Sequence, residues 1–261
     1  MNFQRKVIAL ESRLRDCRNV VTIGVHTNFY EYPPDDRDEI RKADVIYYPT
    51  TFYADLFNSI GKRTFPSYHT YKCVQDKIKQ SALFDLLGIP HPRTRVFYGK
   101  RQKQAITQHF EYPFIAKIAR GSARGRGVFL IRDRESLEHY IENNPVAYIQ
   151  DYLPIDRDMR IVVIGRRIVH AYWRIASEAD FRCNVSLGAR ICLDLVPDAA
   201  LQLASHTARA CGWDDVGIDI CRWNGEFYVL EANMKYGKEG FRKAGIDYSR
   251  LMEAMIERHE I

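Results

Sequence analysis

Residues 216–233 read VGIDICRWNGEFYVLEAN, which predicts two apolar strands joined by a turn at Asn224-Gly225. Three oxygen-bearing side chains, Asp219, Glu231 and Asn233, interrupt these strands. Glu231 and Asn233 are two residues apart and therefore share one face of their strand. Carboxylates among apolar neighbours are costly without a cation, and three such ligands on facing strands can hold Mg²⁺ between phosphate groups. The alternative is a hairpin whose carboxylates are only solvated.

The length of the turn decides whether these side chains can meet. A two-residue turn at Asn224-Gly225 would place Asp219 opposite Leu230 and would put Glu231 on the other face. A three-residue loop that starts at Trp223, with a bulge at a left-handed glycine, makes Asp219 and Glu231 diagonal neighbours on one face. We therefore predict an odd-length loop with Gly225 at positive φ.

A glycine-rich segment at residues 121–127 reads GSARGRG and follows a predicted strand that contains Lys117. Glycines allow backbone N–H groups to approach phosphate oxygens, and a lysine from the preceding strand can neutralise those oxygens. The segment does not fit the Walker pattern, and glycine-rich turns between strands are common, so an ordinary turn is the alternative. The phosphate interpretation therefore needs support from the rest of the sequence.

The strand that leaves this unit contains Gln150-Asp151-Tyr152-Leu153 and is followed by Asp158. Such a strand can present its backbone to a purine, and a carboxylate can accept hydrogen bonds from ribose hydroxyls. These residues alone are compatible with an ordinary surface strand.

Three arginines, Arg160, Arg174 and Arg182, lie among these motifs. One triphosphate that already faces lysines and Mg²⁺ cannot occupy all of them, and a guanidinium fork suits a carboxylate. We therefore predict that one of them is a clamp for an anionic substrate. The alternative is simple pairing with nearby carboxylates such as Asp156, Asp180 or Glu178.

The composition is that of an ordinary globular protein. The chain has 261 residues, of which 46% are hydrophobic and 28% charged, and its apolar runs are far shorter than a membrane span. The first residues lack a signal-peptide pattern, so we expect a cytoplasmic protein without a membrane partner. The six cysteines occur singly, without CxxC or zinc-site spacing, which favours reduced, buried thiols.

The net charge of +6 allows two interpretations. A basic face could bind nucleic acid, but the arginines lie beside glycines and strands rather than in a stripe interleaved with aromatic residues. Anionic small ligands explain the arginines at least as well. A nucleic-acid partner is therefore disfavoured, although it stays open.

The order of predicted elements indicates an α/β (α+β) fold with three parts. The predicted parts are a small N-terminal α/β domain at 1–75 and a larger domain at 76–261, which contains a mobile central lid at about 95–150 and a C-terminal mixed-sheet subdomain at 151–261. The first boundary rests on a helix at 76–87 that stops at Gly88 before Ile89-Pro90. Other predicted strands lie at 20–25, 45–48, 161–164, 168–173, 216–222 and 227–232, and other helices at 35–42, 52–60, 199–211 and 248–258.

Taken in order, these segments resemble the ATP-grasp superfamily, and most closely its RimK-like branch, which adds glutamate residues to a ribosomal protein or makes related amino-acid amides. The resemblance runs from about Asp76 to Arg258, with a thinner match before it. The matching segments are Asp76-Lys77, Leu86-Leu87-Gly88-Ile89-Pro90, Lys117 with its glycine loop, Asp158-Met159-Arg160, Val163-Ile164-Gly165, Ala179-Asp180-Phe181-Arg182-Cys183-Asn184, Gly217-Ile218-Asp219-Ile220, Glu231-Ala232-Asn233 and Gly245-Ile246-Asp247.

The resemblance implies a role for each matching site residue. Lys117 and Arg174 would act at the transferred phosphate, and Mg²⁺, or Mn²⁺ in its place, would be held by Asp219, Glu231 and Asn233. The implied nucleotide-binding residues are Lys77, Lys117, Gly121, Ser122, Gly125, Gly127, Gln150, Asp151, Tyr152, Leu153, Asp158, Arg182 and Asn184. Among them, Asp151 and Leu153 would meet adenine through main-chain atoms, and Asp158 would bind ribose.

Two positions depart from the family pattern. After the asparagine, relatives usually continue with a small residue, Ser, Pro and Gly, whereas this chain continues with Met234-Lys235-Tyr236-Gly237. That segment lies beside the substrate in relatives, so the change bears on the substrate and not on the binding of ATP and metal. Relatives often have Glu where this chain has Asp151, and a main-chain contact should tolerate that change.

The resemblance implies an ATP-dependent carboxylate-amine ligase that forms an acyl phosphate and releases ADP and phosphate. We expect small-molecule or peptide carboxylates and amines as partners, with an acidic amino acid or peptide among them, and a homo-oligomer stays open. The alternatives are an ATP-grasp kinase, which would release ADP without an amine acceptor, and a non-catalytic nucleotide-binding module associated with RNA or the ribosome. A steep salt dependence of nucleic-acid binding would favour the second alternative.

Overall fold

The structure is a computed structural model that describes residues 7–121, 127–177, 182–183, 185 and 188–261. The N-terminal part alternates short strands and helices, as predicted. It contains β1 (Val7–Ala9), β2 (Val20–Thr22), α1 (Pro34–Lys42), β3 (Val45–Tyr47), α2 (Thr50–Ser59) and β4 (Arg63–Phe65), with 3-10 turns at Ser12–Leu14 and Phe29–Glu31. The strands pair in parallel in the order β2-β1-β3-β4. Two strands were not predicted: β1, which is one of the two central strands, and β4 at the edge.

Two helices, α3 (Tyr68–Cys73) and α4 (Lys77–Leu87), connect this sheet to the rest of the chain. Asp76 caps α4, because its side chain accepts hydrogen bonds from the N–H groups of Ile78 and Lys79 at 3.0 and 3.3 Å. The helix ends at Gly88, whose φ of 63° is the left-handed conformation that a C-terminal glycine provides. The predicted helix at 76–87 is therefore confirmed.

The central sheet has its own hydrophobic core. Its elements are β5 (Thr94–Tyr98), α5 (Gly99–Lys103), a 3-10 turn at Ile106–Gln108, β6 (Phe114–Lys117), β7 (Val128–Ile131), α6 (Arg134–Asn143) and β8 (Val146–Asp151). The strands are antiparallel in the order β5-β8-β6-β7. Side chains such as Phe97, Phe114 and Ile149 are buried only among residues of this unit. This arrangement suits the predicted lid, whose motion stays a prediction.

A mixed sheet was predicted for the C-terminal part. All described strand pairs of this sheet are instead antiparallel. Its elements are β9 (Arg157–Ile164), β10 (Arg167–Ile175), β11 (Arg190–Cys192), α7 (Asp198–Ala210), β12 (Asp215–Trp223) and β13 (Glu226–Asn233), followed by α8 (Glu239–Lys243) and α9 (Tyr248–Glu257). The strand order is β11-β10-β9-β12-β13. Parallel and antiparallel sheets together confirm the α/β (α+β) fold class.

The two faces of the C-terminal sheet pack against different layers. Met159 and Ile161 belong to the core formed with α4 and α7. On the opposite side, Val162 and Ile164 share a core with Tyr48 and Phe65 of the N-terminal part and with α9. The N-terminal sheet is therefore joined to the C-terminal sheet by continuous apolar packing, and the exact domain boundaries stay a prediction.

No helix among the described residues is long and apolar enough to cross a membrane.

Candidate active site

The hairpin of β12 and β13 has a two-residue turn, so the predicted three-residue loop is wrong. Asn224 and Gly225 have φ values of 49° and 87°, and Trp223 pairs directly with Glu226. Two central residues at positive φ are typical of a type I′ turn, whose twist matches that of the strands and for which Asn-Gly is a preferred sequence. The predicted positive φ of Gly225 is confirmed.

A bulge at Leu230 compensates for the short turn. The pairing shifts by one residue next to Asp219, which pairs with Glu231 and leaves Leu230 without a partner on β12. Directly opposed residues of an antiparallel pair project from the same face. Asp219 and Glu231 therefore share one face, as predicted, although the extra residue lies in the strand and not in the loop.

The bulge directs several side chains of β13 into one cleft between the central and C-terminal sheets. Leu230, Glu231 and Asn233 all line this nucleotide cleft, whereas Val229 and Ala232 are buried in the core. The cleft is also lined by other residues predicted for the site, namely Lys77, Lys117, Gly127, Gln150, Asp151, Tyr152, Leu153, Asp158, Arg174, Arg182 and Asp219.

Some predicted residues fall elsewhere. Gly121 is described, with a φ of 72°, but it does not line the cleft. Ser122, Gly125 and Asn184 lie outside the described residues. The predicted covering of phosphates by the glycine loop therefore stays a prediction.

Glu231 is held by two neighbours. The side-chain amide of Asn233 donates to Glu231 Oε1 at 2.9 Å, and Lys77 Nζ lies 3.9 Å from Oε2. Burial alone would raise the pKa of Glu231, but attraction by Lys77 and Lys117 outweighs it and lowers that pKa to about 2. Glu231 is therefore ionised at neutral pH.

Lys117 is buried in the same cleft at the end of β6. Its pKa is lowered mainly by burial, and the attraction of Glu231 opposes that shift. A ligand that brings negative charge would favour the ammonium form further.

Two buried arginines hold Asp219 and Asp158. Arg160 donates from Nε to Asp219 Oδ1 and from Nη2 to Oδ2, the latter at 2.9 Å. Arg174 donates to both oxygens of Asp158 at 2.7 and 2.6 Å, and its Nη2 lies 2.9 Å from Asp219 Oδ2. Burial opposes the charge of Arg174, but Asp158 and Asp219 raise its pKa well above the usual range.

This pairing bears on two predictions. Arg160 and Arg174 pair with Asp219 and Asp158, which is the kind of simple pairing considered as the alternative to a clamp for an anionic substrate, so the clamp stays a prediction. The carboxylate partners also differ from those considered, since Asp156 pairs with Arg157. Both oxygens of Asp158 accept from Arg174, and Asp158 is buried although it lines the cleft, so its predicted contact with ribose stays a prediction.

The strand predicted to meet adenine is partly occupied by internal bonds. The N–H of Asp151 donates to the carbonyl of Arg93 at 2.9 Å, and its carboxylate accepts from Arg93 Nε and Nη2 at 3.1 and 2.8 Å. Gln150 Nε2 donates to Thr94 Oγ1 at 2.9 Å. These bonds fix β8 against β5 at the edge of the cleft.

A second cluster of buried polar side chains, centred on Asp215, packs against the segment 234–238. No motif in the sequence predicted it. Asp215 accepts hydrogen bonds from the hydroxyls of Tyr48 and Tyr236 at 2.8 and 2.7 Å. Arg13 Nε donates to Tyr248 at 3.0 Å and lies 3.9 Å from Asp215 Oδ2. This group ties the first 3-10 turn to the segment that follows Asn233.

Tyr236, in the segment predicted to depart from the family pattern after Asn233, packs closely against β12. A Cβ atom at Gly217 would lie 2.5 Å from Tyr236 Cβ, so the glycine makes room for the tyrosine. The carbonyl of Tyr236 accepts from Arg160 Nη1 at 3.2 Å. The unusual segment is therefore an anchored part of this site.

Comparisons with known proteins agree with this geometry. The family profile of the RimK-like ATP-grasp domain matches residues 74–256. The chain belongs to the RimK-like ATP-grasp family. Relatives of this kind are ATP-dependent carbon-nitrogen ligases, several of which are named as glutamate ligases.

Individual relatives support the assignment. A ribosomal protein bS6--L-glutamate ligase of Escherichia fergusonii is 30% identical over 249 residues, which are 92% of this chain and 83% of that protein. A probable alpha-L-glutamate ligase of Haemophilus influenzae strain PittEE is 31% identical over 206 residues, covering 76% and 69% of the two chains. A RimK domain ATP-grasp protein of Sphaerobacter thermophilus superposes with a TM-score of 0.72 at 17% identity, over 95% of this chain and 98% of that one, which supports the fold.

The donor set of this RimK-like site fits a hard divalent cation. Asp219, Glu231 and Asn233 carry side-chain oxygens on one face of the hairpin, and oxygen donors are what Mg²⁺ and Mn²⁺ take in proteins. Asp219 Oδ1 accepts one hydrogen bond from Arg160, which leaves a second lone pair on that oxygen. The neighbouring Lys77, Lys117, Arg160 and Arg174 would balance an anionic nucleotide.

Proposed function

We propose that this chain uses ATP to activate a substrate carboxylate and transfers the acyl group to an amine, with glutamate or a glutamate-bearing peptide as one substrate. The observation that carries the proposal is the bulged hairpin, because it brings Asp219, Glu231 and Asn233 together beside Lys77 and Lys117. The relatives named as glutamate ligases support the choice of substrate.

The chemistry follows from the poor leaving group of a carboxylate. A carboxylate oxygen forms a bond to the γ-phosphorus of ATP while the bond to the bridging oxygen breaks, which releases ADP. The amine nitrogen then attacks the acyl carbon, the bond to the phosphate oxygen breaks with its electron pair on phosphate, and the nitrogen loses a proton. The products are an amide, ADP and phosphate.

This route needs no covalent nucleophile from the protein. Cys183 lines the cleft, but burial raises the pKa of its thiol well above the usual range. A protonated thiol is a weak nucleophile. We therefore assign no chemical role to Cys183.

We assign Lys77 and Lys117 to the phosphate groups. Both face Glu231 in the cleft, and fixed positive charges in a buried site stabilise the charge that develops during phosphoryl transfer. Backbone groups at Gly127 and at the rest of the 121–127 loop would complete this end of the nucleotide site, and Arg182, which also lines the cleft, would contact the nucleotide.

We assign Mg²⁺ to Asp219, Glu231 and Asn233, with Mn²⁺ as the alternative. When bound, the ion would supply positive charge that offsets the negative charge of the phosphate groups. Asn233 holds Glu231 in place through its 2.9 Å hydrogen bond, so it acts as a ligand candidate and as a positioning residue.

We assign Arg174 to the transferred phosphoryl group because it lines the cleft beside Asp219. Asp158 is then a positioning residue, since both of its oxygens accept from Arg174. We assign adenine binding to the backbone groups of Gln150, Tyr152 and Leu153. At Asp151 only the carbonyl can contact adenine, because its N–H already donates to the carbonyl of Arg93.

The test is to incubate the enzyme with ATP, Mg²⁺, a panel of amines, and glutamate, aspartate or neutral amino acids, and to follow nucleotides and amides by mass spectrometry. We expect ADP, phosphate and an amide that contains glutamate or aspartate. AMP with pyrophosphate would overturn the mechanism. A phosphorylated product without an amide would indicate a kinase. Turnover of neutral substrates alone would contradict the proposed acidic substrate but would still agree with a ligase reaction.

A further inference from the structure

The two lysines that face Glu231 belong to two parts of the chain with separate hydrophobic cores. Lys77 begins α4, whose Phe84 is buried in the core of the C-terminal sheet. Lys117 ends β6, which packs in the core of the central sheet. The two ammonium groups repel each other: burial lowers the pKa of Lys117 most, and Lys77 lowers it further. A nucleotide that uses both cations therefore needs a link that holds the two parts together.

The start of α4 is fixed to the β12–β13 hairpin. Gln80, one turn after Lys77, is buried and exchanges two hydrogen bonds with the backbone of Ala232. Its Nε2 donates to the carbonyl at 3.0 Å, and its Oε1 accepts from the N–H at 2.8 Å. Ala232 lies between Glu231 and Asn233 on the edge strand of its sheet. Because both backbone groups of that residue are satisfied by α4, the helix holds Lys77 in place beside Glu231.

Lys117 is fixed within the central sheet by a tyrosine of α6. The Tyr140 hydroxyl donates to the carbonyl of Lys117 at 2.7 Å and accepts from the N–H of Tyr148 at 3.2 Å. The next residue, Ile118, donates its N–H to the carbonyl of Gly127 at 2.8 Å. The buried hydroxyl continues the hydrogen bonding where Lys117 lies opposite Tyr148, at the end of the β6–β8 pair. The backbone at Lys117 therefore belongs to the central sheet.

A short contact joins the two parts directly beside both lysines. This lysine clip consists of Asp76, Lys77, Ala119 and Arg120. The N–H of Lys77 donates to the carbonyl of Ala119 at 3.2 Å, and Asp76 and Arg120 form an antiparallel β-bridge. Arg120 Nε also donates to Asp76 Oδ2 at 2.8 Å. Asp76 Oδ1 caps α4, so one carboxylate holds both the helix start and the strand end.

The ion pair of the clip lies at the surface. The Arg120 side chain is 61% exposed and that of Asp76 is 14% exposed. Exposed ion pairs change an equilibrium by up to about fivefold, so the fold does not depend on this one. The nucleotide site does depend on the relative position of the two lysines that the pair joins.

We propose that Asp76 and Arg120 are positioning residues for the phosphate groups of the nucleotide. Their contact holds Lys117 near Lys77, against the repulsion of the two cations, before a nucleotide binds. Preorganised groups lose less conformational entropy on binding, which strengthens the complex. The inference rests on the proposed function for the identity of the ligand. It adds two residues that act through Lys77 and Lys117 rather than by contact with a phosphate.

Nucleotide binding tests the clip without turnover. Calorimetry with the β,γ-imido analogue of ATP and Mg²⁺ compares the wild type with Asp76→Asn, Arg120→Gln and the double variant. Asparagine caps a helix about as well as aspartate, so Asp76→Asn removes the ion pair and keeps the cap. We expect each single variant to bind about fivefold more weakly than the wild type. The double variant should bind no more weakly than either, because both changes break the same contact.

A second ion pair serves as the matched control. Arg134 and Glu138 form an exposed pair at 2.7 Å, but both lie on α6, so their contact does not join two parts of the chain. Arg134→Gln and Glu138→Gln should bind the analogue like the wild type. Arg120→Lys keeps the charge and one donor group, and it should recover most of the affinity that Arg120→Gln loses.

Turnover separates positioning from a loss of folded enzyme. We expect the clip variants to raise KM for ATP about fivefold at a similar kcat, because the lysines contact the phosphates both before and during transfer. A lower kcat at an unchanged KM would indicate a smaller folded fraction and would overturn the inference.

Three binding results would also overturn it. Losses that multiply to about 25-fold in the double variant would make the two residues independent. Weaker binding of Arg120→Gln with unchanged binding of Asp76→Asn would give Arg120 a direct contact with the nucleotide. Unchanged binding by all variants would leave the clip without a role in the site. The expected binding pattern without ADP release by the wild type would support the clip and contradict the proposed reaction instead.

Discussion

The nucleotide cleft and a second crevice, at the carboxyl ends of β1, β2 and β3, meet at residues 233–235 but hold their arginines differently. In the cleft, Arg160 and Arg174 donate hydrogen bonds directly to the buried carboxylates of Asp219 and Asp158. In the crevice, Arg13 lies 3.9 Å from Asp215 and packs over the Tyr236 ring at 4.6 Å from its centroid. The cleft therefore fixes its arginines by direct ion pairs, whereas the crevice fixes Arg13 largely by aromatic packing. The four changes below weaken one region or its support at a time.

The largest effect should come from Glu231→Gln, which removes charge from the cleft without removing volume. We expect ADP release to fall by about three orders of magnitude, because fixed charge at a phosphoryl-transfer site is lost. Circular dichroism should show a retained fold. Glu226→Gln, on the exposed end of the same strand, is the control and should keep its activity. Near-normal activity of Glu231→Gln at saturating Mg²⁺ would remove Glu231 from the metal site.

The next effect concerns Asp214, beside the support of the crevice. Its carboxylate accepts from the N–H of Ser67 and the hydroxyl of Thr70 at 2.7 and 2.9 Å, yet burial outweighs these bonds and raises its pKa to about 6. Because the carboxyl pKa is higher in the folded state, its contribution to folding stability is complete below about pH 4 and is lost as the pH rises through 6. Asparagine does not ionise, so the stability of Asp214→Asn does not fall over this pH range for that reason.

We therefore expect the unfolding free energy of Asp214→Asn, relative to the wild type, to increase by up to about 3 kcal/mol between pH 4 and pH 8. Urea unfolding at several pH values measures it. Asp44→Asn, at an exposed loop position, is the control whose difference should stay constant. A constant difference for Asp214→Asn would contradict the buried carboxylate.

A smaller effect should follow Tyr236→Phe. Asp215 would lose one of its two tyrosine hydroxyl donors, and an incompletely satisfied buried carboxylate costs about 2 kcal/mol. Chemical denaturation should detect the loss, while Tyr228→Phe, on the hairpin but outside this group, should be nearly neutral. Equal stability of the two variants would mean that the tyrosine ring, and not its hydroxyl, anchors the segment after Asn233.

The smallest effect is expected at the turn. Asn224 has a φ of 49°, and alanine in that conformation costs about 1 kcal/mol. Thermal unfolding should show a lower midpoint for Asn224→Ala, whereas Asn224→Gly should remain close to the wild type. If both behave alike, the type I′ turn does not limit the stability of the hairpin.

The sequence was most informative where a residue has one local role. Asp76 and Gly88 mark the ends of α4 because capping and left-handed geometry depend on neighbouring atoms only. By contrast, β1 has three residues, too few for alternation to be recognised. Its central place in the sheet depends on pairing with β2 and β3, which are distant along the chain.

The same distinction explains the site. The set of Asp219, Glu231 and Asn233 was predicted from polar residues within apolar strands, but the position of the bulge was not, because Leu230 resembles any strand residue. The partners of Arg160 and Arg174 were also missed. Those pairs join residues on neighbouring strands, and spacing in the sequence does not reveal which carboxylate a long side chain reaches.

The bulge at Leu230 makes the active site sensitive to the number of residues in the hairpin. Inserting or deleting one residue between Asp219 and Glu231 would turn the second carboxylate into the core, even if every remaining side chain were suitable. Inserting or deleting two residues would keep the Glu231 side chain on the same face of the sheet as Asp219. During divergence of this branch, length changes in the hairpin should therefore be inherited in even numbers, and a natural one-residue deletion at the turn should be accompanied by a compensating insertion before Glu231.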